Sequence, residues 1–383
     1  MKGRVSMVRT QIKRIIELEY DRVIDAANQA LTEPPGSITF AISERSAGGP
    51  HDYFSEGDYW WPDPNNSDGP YIRRDGLTNP DNFTKHRHAL IRLGMWVATL
   101  AAAYKLSGDS RYAEQAAQHL RIWFLDANTF MSPHLRYAQA IRGRVTGRSI
   151  GIVDTIHMVE IVQAIRAISE SGALREIELR GLKDWFADYL KWIDTHPYGV
   201  EYRLQNNNHC SCWVMQASSF AHFVGDNTIL HRCREIFKHV ILPNQLSPNG
   251  GFPLEIRRTR PYNYSIFNLD VLGITCQLLS TPNDNLWKYS TKLGQGLAQA
   301  FAFHYPFLAD KSCWPFARDI THFELLPVRI LSLMFAGIML EEQSYLELWK
   351  RLDATPTDME VIRNFPRRQP VLWLSNLDED CSN

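Results

Sequence analysis

The sequence predicts an all-α fold: an incomplete (α/α) toroid or barrel of helical hairpins, with long rim loops and minimal β structure. Three observations carry that expectation. From His86 almost to the end, apolar residues recur at three- and four-residue spacing, the signature of amphipathic or buried helices. These helical stretches come in pairs, broken by short Gly, Ser and Asp stops. No self-similarity appears at about 34 residues, the period of an open tetratricopeptide array. Strand-like runs are confined to residues 37–40 and 252–254. A prior of about 150 residues per domain would divide the chain into two or three domains. Continuous helical pairing argues instead for one domain over residues 1–383.

In chain order, residues 10–31 place Ile12, Ile15, Ile16, Leu18, Val23, Ile24, Ala27 and Leu31 on one face of a helix. Residues 32–84 are polar and punctuated by Pro34-Pro35-Gly36, Gly48-Gly49-Pro50, Pro62, Pro64, Gly69-Pro70 and Pro80. Such a stretch forbids long regular elements and reads as a long N-terminal rim loop, of the kind that is often functional. The first hairpin pairs 85–107 with 110–124, with Gly108 ending one helix and Asp109 capping the next. Further pairs follow at 149–171 with 174–194, 209–224 with 227–240, 265–280 with 284–304, and 322–340 with 343–352. The long inserts 125–148, 195–208 and 241–264 all fall at one end of their hairpins, which suits functional loops at the rim of a toroid. The tail from about 367 to 383, ending in an acidic run, is expected to fray.

Composition removes some function classes. The 383 residues carry 41 Lys plus Arg against 42 Asp plus Glu, a formal charge of −1. No basic run offers the phosphate-neutralising surface of a nucleic-acid binder. The N-terminus has no uninterrupted apolar core of a signal peptide, and no run of about 18 apolar residues marks a membrane span. A cytoplasmic protein is expected, or a periplasmic or secreted one if a leader has been removed. The six cysteines are scattered among apolar residues and read as reduced structural thiols. Eleven Trp, 15 Tyr and 18 Phe make 11% of the chain aromatic. Large aromatic faces fill cores or stack on flat apolar surfaces such as sugar rings.

Two segments carry chemistry. Gln205-Asn206-Asn207-Asn208-His209-Cys210-Ser211-Cys212-Trp213 opens a helix, where Asn is a good cap. His209, Cys210 and Cys212 do not read as a metal site, because residues one and two apart on a helix point in different directions. The second segment, Gly250 to Tyr264, packs Arg257, Arg258, Arg260, Tyr262 and Tyr264 into a turn-rich stretch before a helix. Together they supply an amide, an imidazole, guanidinium groups and phenols, but no obvious pair of acids. Hydrolysis of a neutral sugar usually needs two carboxyls. The inventory suits β-elimination on a polyuronate. There the carboxylate is neutralised by hydrogen-bond donors, so that the enolate-like transition state is stabilised. A base takes the C5 proton and an acid serves the glycosidic oxygen. One phenol can do both where these lie on the same side of the ring. Tyr ordinarily ionises near pH 10 (about), so neighbouring Arg is needed to make the phenolate accessible.

At these residues the chain resembles the alginate-lyase superfamily of helical-toroid polysaccharide lyases, over about residues 50–310. The Asn-Asn-His segment with Trp213 is similar to that family's carboxylate-neutralising motif. The run Glu255-x-Arg257-x-x-Arg260-x-x-x-Tyr264 is similar to its Arg-plus-Tyr motif. The resemblance implies Asn208, His209 and Arg257 as neutralisers and Tyr264 as base and acid, with Arg258 and Arg260 able to exchange roles with Arg257. The expected enzyme uses no cofactor and no metal and takes an anionic polysaccharide or oligosaccharide as partner, without nucleic acid or membrane. Tyr59-Trp60-Trp61-Pro62-Asp63-Pro64 and Tyr71-Ile72-Arg73-Arg74-Asp75-Gly76 resemble the branch with a Trp-Trp-Pro rim loop, which includes lyases for alginate and for β-1,4-glucuronan. That loop stands where the alginate-specific branch has a lysine- and tyrosine-bearing lid. Trp60 and Trp61 are candidates for a sugar platform, and Arg73, Arg74 and Arg148 for clamps on substrate carboxylates. Arg260 and Tyr262 are also expected to bind substrate. Mannuronate-rich alginate is the favoured substrate and glucuronan a close second, since the two sugars differ only at C2. The rivals are a helical-toroid hydrolase using Asp154, Glu255, Asp270 or Glu324, and a non-enzymatic helical scaffold.

Overall fold

The computed structural model describes residues 2–66 and 68–374, with side chains from Met7 onward. The described chain is all-α with minimal β structure, as expected. It divides into two compact units, one of residues 19–202 and one of residues up to 18 together with those from 203. Helix α1 (Lys2–Ala30) runs through the division and starts earlier than its apolar pattern suggests. Val8, Ile15, Val23, Ala27 and Ala30 form its buried stripe.

In the unit 19–202, the segment after α1 holds only short elements. Residues 37–40, expected as a strand, form instead a 3-10 turn at Ile38–Phe40. Ser37 wins them for the helix by accepting the Thr39 N–H on its hydroxyl, a local bond that competes with extended structure. Four short strands were not legible: β1 (Phe54–Glu56), β2 (Trp60–Trp61), β3 (Ile72–Arg73) and β4 (Tyr137–Ala140). β1 pairs in parallel with β4, and β2 antiparallel with β3, setting Trp60 opposite Arg73.

The first hairpin, α2 (Lys85–Ser107) and α3 (Ser110–Leu120), turns where expected. Gly108 adopts φ 73°, and Asp109 accepts the Arg111 N–H to cap α3. By length and composition alone α2 could cross a membrane, but most of it is buried as the core helix of this unit. The segment expected as one helix over 149–171 splits into a 3-10 stretch at Ser149–Thr155 and α4 (Met158–Ile168). α5 (Glu176–Thr195) and a short unexpected α6 (Pro197–Arg203) follow.

In the other unit, α7 (Asn208–Val224) and α8 (Asn227–Ile236) turn at Gly225, φ 85°, with Asp226 capping α8. A π turn at Phe237–Ile241 leads to α9 (Leu242–Gln245). The expected strand at 252–254 is instead the start of α10 (Pro253–Ile256), because Pro253 suits the first turn of a helix. α11 (Pro261–Leu279) is the central helix, packed against α7 and α13 (Leu331–Met339), with α12 (Leu297–Ala309) beside it. The helix expected over 284–304 begins only at Leu297. Pro282-Asn283-Asp284 makes a turn closed by pairing of Thr281 with Asp284, and Ser290 pairs with Gly296. α13 likewise starts at Leu331 rather than 322, since Pro327 cannot donate within a helix. α14 (Gln343–Arg351) and α15 (Met359–Asn364) are the last α-helices among the described residues.

The fraying expected from residue 367 does not begin there. Arg367 is buried and pairs with buried Asp270 at 2.7 Å, and Asp270 also accepts the Ser332 N–H at the start of α13. Trp373 is fully buried. Residues 375–383 lie outside the described residues.

Candidate active site

Both sequence motifs fall in the unit that contains α7, and the structure joins them through one carboxylate. Asn207 caps α7 by accepting the His209 N–H on its side chain, which fixes Asn208 and His209 as the first two helical residues. Asn208 then donates twice to Glu255 of α10: its backbone N–H to Oε1 at 2.8 Å and its side-chain Nδ2 to Oε2 at 2.7 Å. Glu255 is 2% exposed. Burial raises its pKa, and the two bonds from Asn208 oppose that rise. The amide of Asn208 is therefore held in one orientation, with its second N–H hydrogen uncommitted to Glu255. His209 stays partly exposed beside it.

Gln245 braces the same corner. Its Nε2 donates to the Asn207 carbonyl at 2.9 Å, and its Oε1 accepts from Ser211 of α7 and Asn268 of α11. The N-terminus of α11 has no cap of its own; Asp319 supplies one by accepting the N–H groups of Tyr262 and Asn263 at 2.8 and 2.9 Å. These bonds set the angle and height of the first turn of α11, where Tyr264 stands half-buried.

The three arginines differ in burial, although the guanidinium of Arg260 also lies 5.9 Å from the Tyr264 ring centre. Arg258 lies over the Tyr264 ring, its guanidinium carbon 4.4 Å from the ring centre, and donates to the phenol oxygen at 3.4 Å. Arg257 ends α10 with an exposed side chain. Arg260 is 1% exposed and pairs with Glu360 of α15 at 2.7 Å. Its expected substrate contact is thus replaced by a strut between α11 and α15. Tyr262 is corrected in the same way. Its hydroxyl donates to the Phe307 carbonyl at 2.8 Å and its ring packs on Trp314 and Phe323. Burial pushes this phenol well above its usual range. Neighbouring Cys210 is equally inert, its thiol pushed up to about 12 by burial. The structure thus gathers Asn208, His209, Arg258 and Tyr264 at the N-termini of two packed helices and turns Arg260 and Tyr262 inward.

The remaining expected residues belong to the unit 19–202. Trp60 is half-buried, with the Arg144 and Arg148 guanidiniums 5.2 and 5.9 Å from its ring. Trp61 donates its indole N–H to the Leu77 carbonyl and has Arg74 at 5.2 Å. Arg73 is exposed and pairs with Asp75. Arg148 donates to the backbone and side-chain oxygens of Gln139, at 3.0 and 3.1 Å. Gln139 itself sits at φ 57°, a left-handed conformation that costs about 1–3 kcal/mol for a non-glycine residue and clusters at functional positions. A buried network holds it there: Ser55 accepts its N–H, while Asp58 and Asp154 face its amide and pair with Arg87.

The sequence places Glu255 within the Arg-plus-Tyr motif and among the rival acids but gives it no bridging role, and it does not single out Gln245 or Asp319. Glu255 could have been noticed as the sole carboxylate inside the second motif. Gln245 and Asp319 act across gaps of 38 and 57 residues that leave no local signal.

Helical hairpins bearing an amide, an imidazole, a guanidinium and a phenol at adjoining helix N-termini define the protein as a polysaccharide lyase. The family model described as alginate lyase matches residues 37–314, and the chain belongs to that family, whose fold class is the (α/α) toroid. Among solved structures, an alginate lyase from Bacteroides ovatus is 29% identical, with a TM-score of 0.82 over 95% of this chain and 97% of that one. Alginate lyase A1-III from Sphingomonas species A1 is 12% identical, with a TM-score of 0.54 over 92% and 94% of the two chains, and shares the fold. A histidine-to-alanine variant of A1-III complexed with tetrasaccharide gives 13% identity and a TM-score of 0.58 over 90% and 88%. No curated protein sequence matches the chain at a significant level.

Proposed function

We propose that this lyase cleaves β-1,4-linked polyuronate by β-elimination, leaving 4,5-unsaturated uronate ends, with mannuronate-rich alginate preferred and β-1,4-glucuronan next. The observation that carries the reading is the Glu255 bridge. It fixes the amide of Asn208 on α7 beside the segment that delivers Arg257, Arg258 and Tyr264. Asn208, His209 and Arg257 bind the carboxylate of the sugar that loses its C5 proton. As that proton leaves, charge flows from C5 toward the carboxylate, where preorganised donors stabilise it. Tyr264 takes the C5 proton as phenolate and returns it to the glycosidic oxygen as the C4–O bond breaks. Arg258, stacked on the ring and bonded to its oxygen, stabilises negative charge there. Trp60 and Trp61, with Arg73, Arg74 and Arg148, are proposed as contacts for further sugars and carboxylates of the chain.

The hydrolase alternative is less well served. Asp154 and Asp270 are buried and bonded, both oxygens of Glu255 are taken by Asn208, and Glu324 pairs with Lys311 and Arg318 on the surface. The substrate ranking rests on the family match and on the Bacteroides ovatus relative. Initial rates on pure mannuronan, guluronan and glucuronan, measured side by side, test it. Mannuronan is expected to be fastest, with glucuronan measurable. Glucuronan ahead of mannuronan would reverse the ranking, and activity on none of them would refute the polyuronate reading.

A further inference from the structure

The unit 19–202 contains a cavity of about 520 Å³, within the size range of small-molecule sites, that no catalytic residue enters. Its walls come from residues 33–41, from the outer face of α2, and from His119 of α3. Along α2, Lys85, Arg92 and Trp96 line it at helical spacing; Phe40 and Glu33 also line it. Lys85 and Arg92 are exposed, and neither has a carboxylate partner among the described residues. Arg92 stands 5.9 Å from the half-buried Trp96 ring.

His119, whose ring lies 5.4 Å from that of Trp96, adds a second observation. It is 1% exposed, lines the cavity, and its Nε2 has no hydrogen-bond partner. A buried polar atom left unpaired costs on the order of 1–3 kcal/mol, a cost that a hydrogen-bonding group bound in the cavity would relieve. Desolvation lowers the His119 pKa to about 4, so the ring is neutral across the working range and offers Nε2 as donor or acceptor according to tautomer.

We infer that this cavity is a second, non-catalytic binding site for a single uronate sugar. The Arg92 and Lys85 cations take the carboxylate, the Trp96 face takes the apolar side of the ring, and Glu33 and His119 take hydroxyls. Stacking on an aromatic face and charge-assisted bonds to a carboxylate are the two interactions a sugar acid offers and a neutral sugar or a simple anion lacks in part. The choice of a uronate rests on the polyuronate reading above. The site would let the enzyme hold a sugar acid, such as a released end unit, at residues that take no part in cleavage.

The test uses the full chain with histidine labelled for NMR and D-glucuronate as probe, which has no glycosidic bond to cleave. Glucuronate is expected to shift the His119 ring signals saturably in the millimolar range, with glucose at equal concentration giving no saturable shift. Arg92→Ala and Trp96→Ala should each weaken binding about tenfold or more while leaving the lyase rate on short oligosaccharides unchanged. Equal binding of glucose would overturn the anion assignment. Absence of a saturable His119 shift, or unaltered binding in both variants, would overturn the site. If glucuronate binds as described but no polyuronate is cleaved, the catalytic reading fails and this site stands.

Discussion

Tyr264→Phe is expected to abolish turnover and leave oligosaccharide binding measurable. The substitution removes one oxygen, the atom to which Arg258 donates, and keeps the ring on which that guanidinium stacks. Tyr264 lies in the first turn of α11, and its backbone N–H bonds to the Arg260 carbonyl whatever its side chain. The fold therefore has no reason to change. What is lost is the group proposed both to take the C5 proton and to return it. A positioned acid or base contributes typically about 10²–10⁴-fold, and here one hydroxyl fills both roles. The loss should appear in kcat, with the dissociation constant for an oligouronate changed little. A variant near the wild-type rate would remove Tyr264 from the mechanism and leave His209 as the imidazole best placed to act as base.

Asn208→Ala should lower kcat/KM about 10²-fold or more, the usual effect of removing a preorganised oxyanion donor. The amide has two duties that can be separated. One hydrogen on Nδ2 holds Glu255, and the other is the donor assigned to substrate. In the variant Glu255 keeps the backbone N–H of residue 208 but loses one partner while remaining buried. That leaves an unsatisfied acceptor, worth roughly 1–3 kcal/mol of stability. Thermal unfolding reports this second effect independently of activity. Glu255→Gln supplies a comparison, since it keeps the volume while disturbing the bridge and leaves the Asn208 amide in place. Activity retained in Asn208→Ala would assign carboxylate neutralisation to His209 and the arginines alone.

Features decided within a few residues were legible in the sequence. Gly108-Asp109 and Gly225-Asp226 each give a left-handed glycine followed by a capping Asp, and both hairpins turn there. The Asn run was legible as a cap, which it is at Asn207, leaving Asn208 to begin the helix one residue beyond it. Helical spacing alone misled at 284–304, where Pro282 to Asp284 decides for turns although apolar residues continue. The short strands escaped because two to four residues barely show alternation; their pairing comes from partners 11 to 84 positions away. The roles of Arg257, Arg258 and Arg260 could not be separated by spacing. Burial distinguishes their surroundings: Arg260 is buried on Glu360, Arg258 bonds to the Tyr264 phenol and Arg257 is exposed. Tryptophan divides similarly: Trp123, Trp213, Trp287, Trp349 and Trp373 are fully buried core, while Trp60 and Trp61 stay half-exposed.

The central claim is elimination rather than hydrolysis, and product stoichiometry tests it most directly. With mannuronan, each new reducing end should be matched by one conjugated double bond, read by ultraviolet absorbance, and both signals should vanish together in Tyr264→Phe. Reducing ends that accumulate without the double bond would contradict the account.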